Sequence, residues 1–101
     1  MTPDISIIIT NYNYERYIAR CLRSCLNQKH VLYEVIIVDD CSTDRSLERI
    51  KPFADRIRLF KTEKNSGVAA AANLGISNAR GQFFFRVDSD DYINQDMSYI
   101  M

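Results

Sequence analysis

Phe83-Phe84-Phe85-Arg86-Val87-Asp88-Ser89-Asp90-Asp91 is the stretch on which the reading of this chain turns. Its apolar start predicts a buried strand, and its end supplies three carboxylates at the strand's carboxyl terminus. Alternate side chains of an extended backbone share a face, so Asp88 and Asp90 point the same way. Convergent carboxylates repel one another unless protons or a cation lie between them. A divalent ion held by one or two carboxylates, its shell completed by substrate phosphates, meets that condition. The plainer alternative is that Asp90 or Asp91 caps a following helix.

Working outward, three further strands precede this one. Ile5-Ser6-Ile7-Ile8-Ile9-Thr10 and Tyr33-Glu34-Val35-Ile36-Ile37-Val38 are near-continuous apolar runs, the pattern of strands covered on both faces. Arg56-Ile57-Arg58-Leu59-Phe60 alternates, which predicts a position nearer an edge. Between them lie helical spacings. Tyr17, Ile18, Cys21, Leu22, Cys25 and Leu26 form one apolar face, with Arg16, Arg20 and Arg23 outside it. Cys41-Ser42-Thr43-Asp44 offers cap chemistry to a second helix with Leu47, Ile50 and Phe53 inward, stopped early by Pro52. A third, Ala-rich helix over residues 67–80 repeats Val68, Ala72, Ile76 and Ala79, with Gly81 as its stop.

The order β-α-β-α-β-α-β predicts an α/β fold: a mostly parallel sheet in the order 3-2-1-4 with helices on both faces. Such sheets bind ligands at the carboxyl ends of their strands, where the order reverses. Thr10-Asn11-Tyr12-Asn13, Asp39-Asp40 and Asp88-Ser89-Asp90-Asp91 all fall on that rim. Helix capping alone does not account for three polar clusters gathered there.

Composition narrows the classes. At 101 residues the chain is one domain, and 47% hydrophobic with 26% charged residues is a globular balance. Thirteen basic and thirteen acidic residues cancel, so no basic field argues for nucleic acid or an anionic membrane. No apolar run reaches the roughly 20 residues of a membrane span. Met1-Thr2-Pro3-Asp4 lacks the basic region of a signal peptide. The cysteines, including Cys21 and Cys25 on one helix face, read as free thiols of a reducing compartment, hence a cytoplasmic location, with a peripheral position on the membrane's cytoplasmic face compatible. His30 falls in a loop. The loop after strand one contains no glycine, which removes both the Gly-x-Gly-x-x-Gly dinucleotide fingerprint and the Gly-rich phosphate loop. A calcium loop from Asp88 would need Asp or Asn at Tyr92, Gly at Ile93 and Glu at Tyr99.

Four segments in order, residues 5–13, 38–44, 65–75 and 87–91, resemble the family 2 glycosyltransferases of GT-A fold. The resemblance covers nearly the whole chain. It implies that residues 1–101 are the Rossmann-like nucleotide-sugar-binding half of a GT-A domain. It implies inverting transfer of a sugar from a nucleotide diphosphate donor, a UDP-sugar first, with Mn²⁺ or Mg²⁺. The acceptor, a saccharide or lipid-linked, is open. By the same resemblance Thr10 and Tyr12 contact the base, the ring of Tyr12 stacking on a pyrimidine. Asp40 accepts the imide N–H of uracil, or of thymine in a dTDP-sugar. Asp39 assists or only shapes the turn. Asp88 and Asp90 match the Asp-x-Asp motif that meets ribose and metal, while Asp91 supports the motif or caps a helix. Where many relatives carry Arg before the Asn of the Ala-rich helix, this chain has Ala72. A cationic contact there is absent or comes from Lys64. The family's catalytic base and acceptor site are expected beyond Met101, so the chain reads as a donor-binding fragment, inactive alone, with a sheet side open to self-association. Two alternatives stand beside this. One is a receiver-like phosphoacceptor module in which Asp39 and Asp40 hold Mg²⁺ and Asp88 is phosphorylated. The other is a nucleotide-binding module without activity.

Overall fold

The computed structural model of the protein describes residues 3–27 and 32–88. In order these form β1 (Ile5–Asn11), α1 (Ile18–Cys25), β2 (Tyr33–Asp39), α2 (Ser46–Ile50), a 3-10 turn (Lys51–Arg56), β3 (Arg58–Lys61), α3 (Val68–Ser77) and β4 (Phe83–Asp88). The four strands are all parallel in the order β3-β2-β1-β4, as expected from the alternation of elements.

The pleat of β1 and β2 divides the core. Ile5, Ile7, Ile9, Val35 and Ile37 face α1 and α2, packing with Ile18, Cys21, Leu22, Cys25 and Ile50. Ile8, Ile36 and Val38 face α3 and pack with Ala71, Leu74 and Ile76. The fully buried leucine, isoleucine and valine side chains among them each contribute about 1.5–3 kcal/mol relative to exposure, and the partly buried Leu74 and Ile76 less. A Cβ at Gly75 would lie 2.6 Å from Ile8 Cγ2 and 3.2 Å from Val38 Cγ2. The small residues of α3 thus let its backbone rest directly on the sheet. Arg20 and Arg23 are on the exposed side of α1, as their spacing predicts, and Arg16 is exposed in the turn before it. Pro52 stands in the first turn of the 3-10 segment, where α2 gives way to tighter winding.

Several expectations are corrected. Phe83 and Phe84 are 66% and 47% exposed, so β4 is not a strand buried on both faces. It pairs with β1 on one side only, and among the described residues nothing covers its other edge. An apolar run identifies a strand without fixing how many layers cover it. Leu47, expected inward, is exposed, and so is Val68, the first residue of the repeat in the Ala-rich helix. α2 is only five residues long, and Ile50 with the half-buried Phe53 supplies its apolar contact. Gly81 does not end α3, which stops at Ser77 with Asn78 as its C-cap. β3 begins at Arg58, two residues later than its alternation suggests. His30 and residues 89–101, with Asp90 and Asp91 among them, lie outside the described residues.

At the amino end of the sheet Glu34 ties three strands together. Its carboxylate accepts from Ser6 Oγ at 2.6 Å, the Arg80 N–H at 2.7 Å and Arg58 Nη1 at 3.0 Å. Burial works against ionisation of Glu34, but these donors outweigh it and hold its carboxyl below the ordinary 4.5.

Candidate functional site

A cleft of about 320 Å³ opens at the carboxyl ends of β1, β2 and β4, with Thr10, Tyr12, Tyr14, Asp40, Asn65 and Asp88 in its wall. Val68 and Ala71, from the first turns of α3, complete one side. This is the place where the strand order reverses, between β1 and β4.

Register decides which polar residues meet there. Thr10 lies opposite Asp88, and Thr10 Oγ1 donates to Asp88 Oδ1 at 3.2 Å across the two strands. Asn11 lies opposite Asp39, and Asn11 Nδ2 donates to Asp39 Oδ1 at 2.8 Å. The adjacent carboxylates of Asp39 and Asp40 therefore point to opposite faces of the sheet.

Asp39, 1% exposed, is taken up inside the turn. Besides Asn11 it accepts from Ser42 Oγ at 2.7 Å and from the Ser42 N–H at 3.0 Å. It is not in the cleft wall. Asn13 joins the same turn to the loop after β1. Its Oδ1 accepts from the Thr43 and Asp44 N–H groups at 2.8 and 3.2 Å. The residue takes a left-handed φ of 59°, which asparagine tolerates better than most residues. Asp44 accepts from the Ser46 N–H at 2.9 Å, the helix-entry role foreseen for it, and from the Glu15 N–H at 3.1 Å.

Asp40, 3% exposed, faces α3 and organises the loop that leads into it. Its Oδ1 accepts from Thr62 Oγ1 at 2.7 Å and from both the N–H and Oγ of Ser66 at 2.9 Å. Its Oδ2 accepts from the Gly67 N–H at 2.8 Å. Burial opposes the charge on Asp40, yet these four donors more than compensate and keep its carboxyl below the ordinary 3.8. It is an acceptor-only group at the edge of the cleft. Tyr12, 40% exposed, presents its ring to the same space.

Thr62, Ser66 and Gly67 were not singled out as site residues by sequence reasoning. A lone Thr in a polar loop carries no local signal, because its partner stands 22 residues away. Asn11 was similarly part of a motif whose pairing depends on parallel register.

Three carboxylates are held ionised by protein donors, and that predicts an acid-labile fold. Glu34, Asp40 and Asp44 all have folded values below ordinary values of 4.5, 3.8 and 3.8. A depressed folded value contributes stability that is present above the unfolded value and is lost as pH falls through the folded one. Thermal unfolding is expected to be nearly independent of pH from about 6 to 8 and to shift steadily downward below about 4.5. A midpoint that stays flat to pH 3 would contradict this electrostatic picture.

The model of the family described as Glycosyl transferase family 2 matches residues 6–101. A Haemophilus influenzae protein named as an uncharacterized glycosyltransferase is 45% identical over 97 residues, covering 93% of this chain and 39% of that protein. A Pasteurella multocida chondroitin synthase is 42% identical over 97 residues, covering 93% of this chain and 10% of its own length. Among solved structures, S. aureus TarS 1-349 in complex with UDP-GlcNAc superposes with a TM-score of 0.89 at 35% identity. It covers 96% of this chain and 29% of that one. The chain thus spans 39% or less of the length of these curated relatives.

Proposed function

Since the chain belongs to glycosyltransferase family 2, we propose that residues 1–101 form the nucleotide-sugar-binding part of a GT-A domain and that its donor is a UDP-sugar. The observation that carries this reading is Asp40: an ionised carboxylate in the cleft wall whose Oδ2 accepts only one hydrogen bond among the described residues. The imide N–H of uracil suits the remaining position. The similarity to TarS, solved with UDP and with UDP-GlcNAc, supports the same donor class.

In this reading Tyr12 stacks on the base and Thr10 lines the bottom of the cleft beside it. Asp39 acts one step away, by fixing Asn11 and the turn after β2. Asp88 stands where the ribose and diphosphate leave the base pocket. Its carboxylate is a hard oxygen donor of the type Mn²⁺ and Mg²⁺ accept, so the residue fits a metal-site role together with Asp90. When bound, the ion would neutralise the diphosphate as the glycosidic bond breaks. Inverting transfer is proposed for the longer relatives' kind of protein, of whose length residues 1–101 match 39% or less, and the general base and acceptor site are not assigned to residues of this cleft. A saccharide or lipid-linked acceptor is consistent with this, and Cys21, Cys25 and Cys41, none of them in a disulfide, fit a cytoplasmic setting. Among the described residues no helix is long and apolar enough to cross a membrane. The phosphoacceptor alternative asks Asp39 and Asp40 to share an ion, whereas each carboxylate is held by protein donors on its own face.

The test is titration of UDP with Mn²⁺ and with chelator. The parent is expected to bind more tightly with metal. Asp90→Asn is expected to remove most of that gain, because an amide oxygen supplies no charge to a hard cation. Asp91→Asn is expected to change less. A parent with no metal dependence would overturn the metal assignment, and an Asp91→Asn variant that alone abolishes it would reverse the roles within the motif.

A further inference from the structure

We propose that Thr62 is a specificity-determining positioning residue: its hydroxyl, bonded to Asp40, sets how strongly the cleft prefers uracil over cytosine. The inference rests on the donor reading above and extends it to a residue outside the family-like motifs.

The geometry runs from the carboxylate outward. A carboxylate offers about four acceptor positions, two on each oxygen. Oδ1 of Asp40 is filled by Thr62 Oγ1 at 2.7 Å and by the two groups of Ser66 at 2.9 Å. Oδ2 is held by the Gly67 N–H at 2.8 Å, which leaves one position. Thr62 Oγ1 also lies 2.9 Å from the Lys64 carbonyl oxygen. A hydroxyl has one proton to give, and the ionised Oδ1 is both the nearer and the stronger acceptor. Thr62 thereby fixes the carboxylate's rotation and joins the residues that favour its charge.

Both effects bear on the base. Uracil brings a proton on N3 and meets the open position directly. Cytosine has no proton there, so Asp40 would have to carry one for the same pairing. Every donor to the carboxylate makes that proton harder to hold, and one pKa unit corresponds to a tenfold change. Removing the Thr62 hydroxyl is therefore expected to weaken UDP and to lessen the penalty on CDP.

The experiment measures UDP and CDP affinity for the parent, Thr62→Val and Thr62→Ser. The expected result is a CDP-to-UDP ratio of dissociation constants that narrows on the order of tenfold in Thr62→Val and recovers in Thr62→Ser. A residue that merely stiffens the loop would weaken both nucleotides by one factor and leave the ratio unchanged. That outcome, in a parent that prefers UDP, overturns the proposal and leaves the donor reading standing. A parent without a preference for UDP overturns both. Should Thr62→Val fail to fold, Ser66→Ala removes another hydroxyl from the same oxygen while keeping the backbone N–H, and its ratio decides by the same criteria.

Discussion

Replacing Asp40 by alanine is expected to cost on the order of 2–3 kcal/mol of stability and to remove most affinity for UDP. Four donors converge on this side chain, from Thr62, Ser66 and Gly67. Without it Thr62 Oγ1 turns to the Lys64 carbonyl and the Gly67 N–H to Asn65 Oδ1, whereas the two Ser66 donors must find water or stay unpaired, and a buried unpaired donor costs about 1–3 kcal/mol. Ser66 and Gly67 are exposed, which lets solvent recover part of the loss and keeps the total below the sum of four such terms. The damage is directional. Gly67 is the N-cap of α3, so the helix loses the anchor that fixes its first turn against β2. Binding suffers twice, through the lost acceptor and through the displaced wall. A hydrogen bond to a charged group is worth about 1.5–3 kcal/mol, or roughly ten- to a hundredfold in affinity. Asp40→Asn should fold better than Asp40→Ala yet still bind UDP poorly, since an amide in this ring of donors must turn its NH₂ toward the cleft or toward Gly67. Thermal unfolding and calorimetric titration read the two effects separately. An Asp40→Ala protein with parental stability would show that the donors do not depend on it.

Gly81→Val is expected to be at least as damaging, about 3 kcal/mol or more, with no bearing on the ligand. A Cβ at this position would lie 2.7 Å from the Ile5 carbonyl carbon and from the Ser6 nitrogen, and 2.9 Å from Ser6 Oγ. Two of the three neighbours are backbone of a central strand, which cannot rotate away. The approach is close because the Gly81 N–H donates to Ser6 Oγ at 2.9 Å, while Ser6 donates to Glu34. Just beyond it, the N–H groups of Gln82 and Phe83 both reach the Asp4 carbonyl as β4 joins the sheet. A larger residue pushes β4 away from β1 at the point where pairing begins. Set against a typical total of about 5–15 kcal/mol, such a loss removes a large share of the stability and raises the unfolded fraction on the order of a hundredfold. Chemical denaturation of Gly81→Ala and Gly81→Val measures it; a cost under about 1 kcal/mol for valine would mean that the strand shifts without penalty.

These two residues also show where the sequence speaks and where it does not. Apolar runs, helical spacings and short connections are local, and they were enough for four parallel strands in the order β3-β2-β1-β4. The rim on which Thr10, Tyr12, Asp40 and Asp88 gather follows from that order. What stayed hidden depends on distance in sequence. Gly81 looked like a helix stop because glycine has that use, whereas its reason is a backbone approach to Ile5 and Ser6, far earlier in the chain. Phe83 and Phe84 looked interior because apolar composition does not record how many layers cover a strand. The division of labour between Asp39 and Asp40 was in principle legible. One residue of offset in a strand reverses the face, and Asn11 and α3 lie on opposite faces. The partners that hold each carboxylate, Ser42 for one and Thr62 with Ser66 for the other, are set by loops that no periodicity describes.

The proposed donor site stands or falls with the reading of a uracil nucleotide by an ionised Asp40. Calorimetric titration of the parent protein with UDP and with CDP, each in Mn²⁺ at neutral pH, tests it most directly. The two ligands share ribose, diphosphate and charge, and differ in whether N3 brings a proton and in the group at C4. UDP is expected to bind about ten- to a hundredfold more tightly. Equal affinities, or a preference for CDP, would contradict it.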